Sequence, residues 1–328
     1  MNNFVSAFFC LLLIIAPTHL PPAIAQTNGV EQGIQYFNSK KYAEAKQVFE
    51  SLAAGKMTEP VIAYHLGRIY IREGNHEKAI DWLERAISSE PNNSNYHFWL
   101  GRAYAIKAQR VGLLRKAAAA RQIKTAFERA VQLNPDNLAA RMALLQFYAF
   151  APGIIGGSKE AAGEQAAQIK QRNEYQGHLA FGIVHAANER YELAEQEFRA
   201  AMEDKPDDPQ AYYQLAFLYA RNKQWDQAWL VMEQLLARRA EEVTAHFYLG
   251  WLAVLAEQKL DQGEEHLKQY LKSEPSTEQP SLAFARLQLG HLYKLKGNKQ
   301  QAAAEYREAL ALDPNFEPAK KALQAIER

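Results

Sequence analysis

The residues with types and spacings suited to chemistry are few in this chain. His178 and His185 lie seven positions apart, which puts two imidazoles near one helix face, where they could share a metal ion. Packing into a core is the stronger reading, because His185 stands where its unit would carry an aromatic. His76-Glu77 opens like a zinc-protease helix but lacks the second histidine one turn on. Gly156-Gly157-Ser158-Lys159 has the composition of a phosphate loop in the wrong order, since Gly-x-x-x-x-Gly-Lys-Ser/Thr places lysine first and follows a strand. There is no Gly-x-Ser-x-Gly elbow, and carboxylates such as Asp81 and Glu84 are scattered as on any solvated helical face. Asn92-Asn93-Ser94 spells a glycosylation sequon in a turn and carries little weight. The chain is therefore expected to be no enzyme, with no catalytic residues, no metal and no cofactor.

The elements that hold these residues are periodic. Gly33, Gly67 and Gly101 are 34 residues apart, and Gly182 and Gly250 fall in the same frame. Around them the same types recur: Ala63, Leu66, Gly67 and Tyr70, then Ala79, Leu83, Ala86 and Pro91. Further on come Phe181, Gly182, Ala194, Phe198, Ala201 and Pro206, then Leu289, Gly290, Tyr293, Ala302, Tyr306, Ala309 and Pro314. Small residues such as Gly67 and Ala79 suit a close helix–helix approach, and Leu66, Tyr70 and Leu83 fill the space beside it. Pro91 and Pro135 stop helices, lacking an N–H and clashing with the turn before.

This pattern resembles the tetratricopeptide repeat family over nearly all of residues 26–328. The resemblance implies an all-α, right-handed superhelical solenoid of about eight helix-turn-helix units with a capping helix from about Glu317. The units are expected at 26–59, 60–93, 94–137, 138–174, 175–208, 209–242, 243–282 and 283–316, with the cap at 317–328. The family also implies a concave groove lined by the first helix of each unit. In the N-terminal half the groove positions fall on Tyr64, Arg68, Arg72, Phe98 and Arg102. In the C-terminal half they fall on Tyr213, Phe217, Phe247, Trp251, Leu287 and His291. Arg68, Arg72 and Arg102 would form a cationic cluster and the aromatics an apolar stretch, predicting a ligand with one acidic and one apolar end. The Lys and Asn set with which one family subtype grips a terminal carboxylate is absent, Val30 and Ile34 standing in its places.

Residues 1–25 stand outside the frame. Phe4 to Ala16 is a 13-residue apolar run, too short to cross a bilayer but suited to a signal-peptide core. Pro17, Pro21 and Pro22 break it, and Ala23-Ile24-Ala25 offers a peptidase site before Gln26. The n-region Met1-Asn2-Asn3 has no Lys or Arg, so an uncleaved inner-membrane anchor is the alternative. Cys10, the single cysteine, has no small residues before it, and a lipoprotein signal does not fit. A processed chain without thiols suits a bacterial periplasm, with no stable membrane insertion after cleavage.

Two units break the period. Pro91 and Pro135 are 44 apart, and the extra residues lie between Tyr104 and Phe127. That stretch carries Lys107, Arg110, Arg115, Lys116, Arg121 and Lys124 with no acid before Glu128. Lengthened helices around a turn near Gly112 are expected, either simply solvated or forming a ledge for an acidic partner or membrane headgroups. The second break, residues 150–158, reads as a loop with Ile154 and Ile155 packed down and Ser158 capping the next helix. This phrase resembles an "APG-GG" insertion shared by a subgroup of exported bacterial tetratricopeptide proteins.

Thirty-eight basic residues against 37 acidic leave the chain near neutral, which argues against bulk nucleic-acid binding. The expected function is a non-enzymatic scaffold or adaptor holding a protein or peptide in the groove. The alternative is a carrier or sensor of a small molecule or cell-wall glycan.

Overall fold

In a computed structural model the described residues are 22–55, 59–109, 113–276 and 279–327. Residues 1–21, most of the expected signal segment, and Gly112 lie outside them. The fold divides after Pro91 into two compact units.

The first unit holds α1 (Pro22–Asn38), α2 (Tyr42–Ala54), α3 (Pro60–Arg72) and α4 (His76–Ser89). The second begins with α5 (Ser94–Gln109), α6 (Leu113–Leu133), α7 (Leu138–Phe150) and α8 (Lys159–Lys170). It continues through α9 (Glu174–Ala187), α10 (Tyr191–Asp204), α11 (Pro209–Arg221), α12 (Trp225–Arg238) and α13 (Val243–Ala256). It ends with α14 (Leu260–Tyr270), α15 (Leu282–Leu295), α16 (Lys299–Leu312) and α17 (Glu317–Glu327). Consecutive helices pair as eight antiparallel hairpins with α17 packed on the last, and no strand occurs among the described residues.

Local chemistry sets the helix ends. Asn75, Asn137, Ser158, Asn173, Ser281 and Asn298 each accept a backbone N–H of the helix they precede, satisfying one of its orphan donors. Pro60 and Pro209 open α3 and α11, where no N–H is needed. Several hairpins turn through one left-handed residue. Glycine supplies it at Gly74 and Gly297, but Glu189 takes the same conformation at φ 60°.

The frame glycines are steric. A Cβ on Gly67 would stand 2.5 Å from Leu83, and one on Gly101 2.5 Å from Phe127. Gly182, Gly250 and Gly290 meet Phe198, Leu267 and Tyr306 in the same way. Each of these hairpins thus drives a large side chain of its second helix into the gap left by the glycine of its first, whereas α7 and α11 carry no glycine. Ala79 and Ala194 are wholly buried at these contacts.

Hairpins are also stitched to one another by the frame tyrosines. Tyr148, Tyr219 and Tyr293 donate to Glu128, Glu195 and Glu264 of the preceding hairpin at 2.7, 2.6 and 2.9 Å. Tyr70 donates likewise to Glu50 in the first unit. Burial first, then the carboxylate partner, pushes the Tyr70 phenol up to about 12.

The period breaks have visible forms. The α5 and α6 helices run 16 and 21 residues, against 13 and 14 for α3 and α4. After α7 a short 3₁₀ turn, Gly153–Ile155, replaces a direct connection. Here the expectation of two packed isoleucines fails. Ile155 is half-buried, but Ile154 is 96% exposed because the turn leans one side against α6 and aims the next residue outward.

Candidate ligand groove

The second unit contains a groove of about 1200 Å³ built from the first helices of successive hairpins. Its α5–α7 end is apolar, with Phe98, Ala105, Ile106, Met142, Phe147 and Phe150 over Ile123 and Phe127 of α6. Farther along, Leu179 and Ile183 of α9 alternate with amides, and Tyr213, Phe217 and Tyr248 close the other end. The amides are Gln146 on α7, Gln176 on α9, Gln210 and Gln214 on α11, and Asn173 before α9. Arg102 and Lys205 are the cations among the lining residues, which include no carboxylate.

Four of the residues expected from sequence line this groove: Phe98, Arg102, Tyr213 and Phe217. Trp251 borders a small adjoining recess with Tyr213, Phe217 and Tyr248. The four rings contact one another: Tyr213 and Phe217 lie 4.9 and 5.0 Å from Tyr248, and Phe217 lies 5.5 Å from Trp251. The Tyr213 hydroxyl donates to Glu242 at 2.8 Å, and burial first, then Glu242, raises its pKa. Its position is thereby fixed, with the ring face left to the groove.

Phe247 and Leu287 do not reach the groove. They are 2% and 3% exposed in the core around α14 and α15, Phe247 lying 5.4 Å from Tyr270 and 5.5 Å from Phe284. Phe247 is covered by Phe284 of the following hairpin, and Leu287 lies in the same core cluster. A residue so placed with no polar group to keep out is taken into the inter-repeat core. His291 is half-buried and pairs with the Tyr306 hydroxyl at 2.9 Å, with burial and then Lys294 lowering its pKa. It is engaged inside its own hairpin.

Tyr64, Arg68 and Arg72 belong to the first unit. Arg68 lies over Phe37 at 4.4 Å, and its Nη1 donates to the Tyr64 hydroxyl at 3.2 Å. Arg72 lies over Tyr42 at 4.1 Å, and in the second unit Arg102 lies over Trp99 at 4.4 Å. Each guanidinium lies within cation–π range of a ring.

The histidine pair divides between two jobs. The Nδ1 of His178 lies 2.6 Å from Glu197, and His185 stacks on Phe181 at 6.3 Å. Among the described residues no cluster of three His, Cys, Asp or Glu could hold a metal, and no helix is long and apolar enough to cross a membrane.

Sequence reasoning missed the α7 and α9 lining, including Met142, Gln146, Phe147 and Gln176. The positions expected to line the groove come from α3, α5, α11, α13 and α15, and none from α7 or α9. The signal was present in the Leu138–Phe150 run, whose apolar residues exceed what one buried stripe needs.

Stacked helical hairpins with small residues at fixed places define an all-α repeat fold, and first helices of the second unit line its groove. Two sequence models described as "Tetratricopeptide repeat" match, one over residues 36–102 and 185–249 and the other over 285–316, and the chain belongs to the tetratricopeptide repeat family. A curated relative, the antiviral innate immune response effector IFIT1 of Macaca fascicularis, is 22% identical over 275 residues, 84% of this chain. The chain spans 50% of that relative's length. An IFIT1 mutant solved with m7Gppp-AAAA superposes with a TM-score of 0.57 at 14% identity, covering 89% of this chain and 70% of that one. A thermophilic tetratricopeptide protein from Thermus thermophilus gives 0.50 at 18% identity, covering 60% of this chain and 99% of that one. These likenesses show the fold. That fold supports a protein-interaction scaffold, and its family is generally non-enzymatic.

Proposed function

We propose that this chain is a non-enzymatic adaptor, exported to a bacterial periplasm, that holds an extended peptide segment of a protein partner along the groove of its second unit. One observation carries the reading: four glutamine amides from three hairpins, beside Asn173 whose Oδ1 caps α9, share the groove with apolar wells and with no carboxylate among its lining. A primary amide both donates and accepts, so a row of them can pair with the alternating N–H and C=O groups of an extended backbone. The wells beside Met142, Phe147, Ile183 and Phe217 suit its apolar side chains, and Arg102 or Lys205 a carboxylate.

Nucleic acid is not the proposed ligand. A phosphate chain needs many cations to displace its counterions, and two line the groove. The m7Gppp-AAAA bound by the IFIT1 mutant is the likeness that weighs on the other side. A cell-wall glycan is the second reading, favoured by the same amides beside the Tyr213, Tyr248 and Phe217 rings. Export rests on the short apolar run and Ala23-Ile24-Ala25, with a retained membrane anchor as the competing outcome.

The test is selection of ligands by the purified chain from a displayed peptide library, with muropeptides and capped oligonucleotide in parallel. Peptides should be retained, and Gln176→Ala with Gln214→Ala should weaken them. Retention of the glycan or the oligonucleotide alone would overturn the peptide reading.

A further inference from the structure

The loop after α7 presents the most exposed large apolar side chain among the described residues, Ile154 at 96%, next to Phe150 at the end of α7, a groove-lining residue 60% exposed. The loop is built to hold Ile154. The N–H groups of Ile155 and Gly157 both donate to the Pro152 carbonyl, at 3.0 and 3.1 Å. That of Gly156 donates to Gly153 at 3.0 Å, and that of Ser158 to Tyr148 at 2.9 Å. Gly156 is left-handed at φ 102°, and a Cβ on Gly157 would run into the Ala151 carbonyl. The turn therefore displays Ile154 on a fixed backbone, and no neighbouring hairpin covers it.

Charge lies beside this tip. The turn packs on α6, and a Cβ on Gly156 would stand 3.1 Å from Cδ of Lys124. Arg121, one turn earlier on the same face, is exposed, as is Lys159 directly after the loop. The helix also carries Arg115 and Lys116 with no acid before Glu128. Glu128 accepts from Tyr148 at 2.7 Å and lies 3.7 Å from Lys124, while Glu160 is exposed in the first turn of α8.

We propose that this knob docks the protein on an anionic lipid bilayer, Ile154 entering the acyl boundary while Arg121, Lys124 and Lys159 sit among the headgroups. A protein interface surrounds its apolar centre with a broad packed patch. A single apolar tip rimmed by cations fits the membrane interface instead, where apolar burial and attraction to anionic lipid add. The docking is peripheral, and Ile154, which enters the bilayer, is not among the groove-lining residues.

The experiment places an environment-sensitive fluorophore on Ile154→Cys in a Cys10→Ser background, with a control label on Lys299→Cys. With phosphatidylglycerol vesicles, emission from position 154 should shift to the blue and emission from 299 should not. Phosphatidylcholine vesicles should give little shift. Arg121→Ser with Lys124→Ser should raise the lipid needed by roughly tenfold or more. A label at 154 that stays water-like with anionic vesicles overturns the proposal, whether or not the chain binds them elsewhere. An equal shift on phosphatidylcholine overturns the role of charge. A shift that grows with protein concentration without lipid overturns it in favour of a second copy of the chain.

Discussion

His65 lies between Phe37 at 4.7 Å and Phe49 at 5.2 Å, and is 7% exposed. Burial first, and Arg68 second, push its pKa down to about 4. An unfolded imidazole takes a proton near 6.5 and the folded one refuses it until about 4. The unfolded state therefore binds more protons across that window, and stability falls as pH drops from 6.5 towards 4, by up to about 3 kcal/mol from this residue. Urea melts of the parent and of His65→Phe at stepped pH values should show the slope reduced in the variant. An unchanged slope would place the protonation elsewhere. Glu189, left-handed at φ 60°, gives an opposite expectation: Glu189→Gly relieves its strain and should raise stability by up to about 1 kcal/mol. At this scale the sequence was readable wherever sterics repeat. Gly67 and Gly101 had to face something large, and they face Leu83 and Phe127. Spacing gives only an angle on a helix, so it could not separate Phe217, 38% exposed in the groove, from Phe247, which the next hairpin covers.

Between elements, the tyrosine bonds to the preceding hairpin are the most regular coupling. Their sequence signature, a frame Tyr and a Glu on the helix before, was legible as types but not as a bond. Its chain separation varies, 20 residues for Tyr148–Glu128 and 29 for Tyr293–Glu264. Tyr219→Phe keeps the ring and removes the hydroxyl that Glu195 accepts from and Arg199 donates to. It should cost about 1.5–3 kcal/mol in denaturant unfolding, as charged hydrogen bonds do. Ala194→Leu overfills the α9–α10 contact and should cost roughly 1–3 kcal/mol. Because repeats couple to neighbours, its hydrogen exchange should rise first in α9 and α10. A uniform rise along the chain would contradict the repeat account. The lengthened α5 and α6 followed from the Ala- and Arg-rich insertion. The outward Ile154 did not, since its direction comes from a 3₁₀ turn seated on another hairpin.

On the scale of the whole chain, the first 25 residues are the proposed export signal and the groove of the second unit the proposed recognition surface. N-terminal sequencing of protein purified from its own cells should begin at Gln26, and a full-length membrane-bound product would favour the anchor. Recognition is tested most directly by titrating a library-selected peptide into the parent and into Phe217→Ala. Phe217 is 38% exposed in the groove and packs on Tyr248 and Trp251, so its removal should lower the melting temperature and, well below that temperature, weaken binding by about 2 kcal/mol or more. Equal affinity of parent and variant would show that the peptide lies outside the groove and would contradict the central claim.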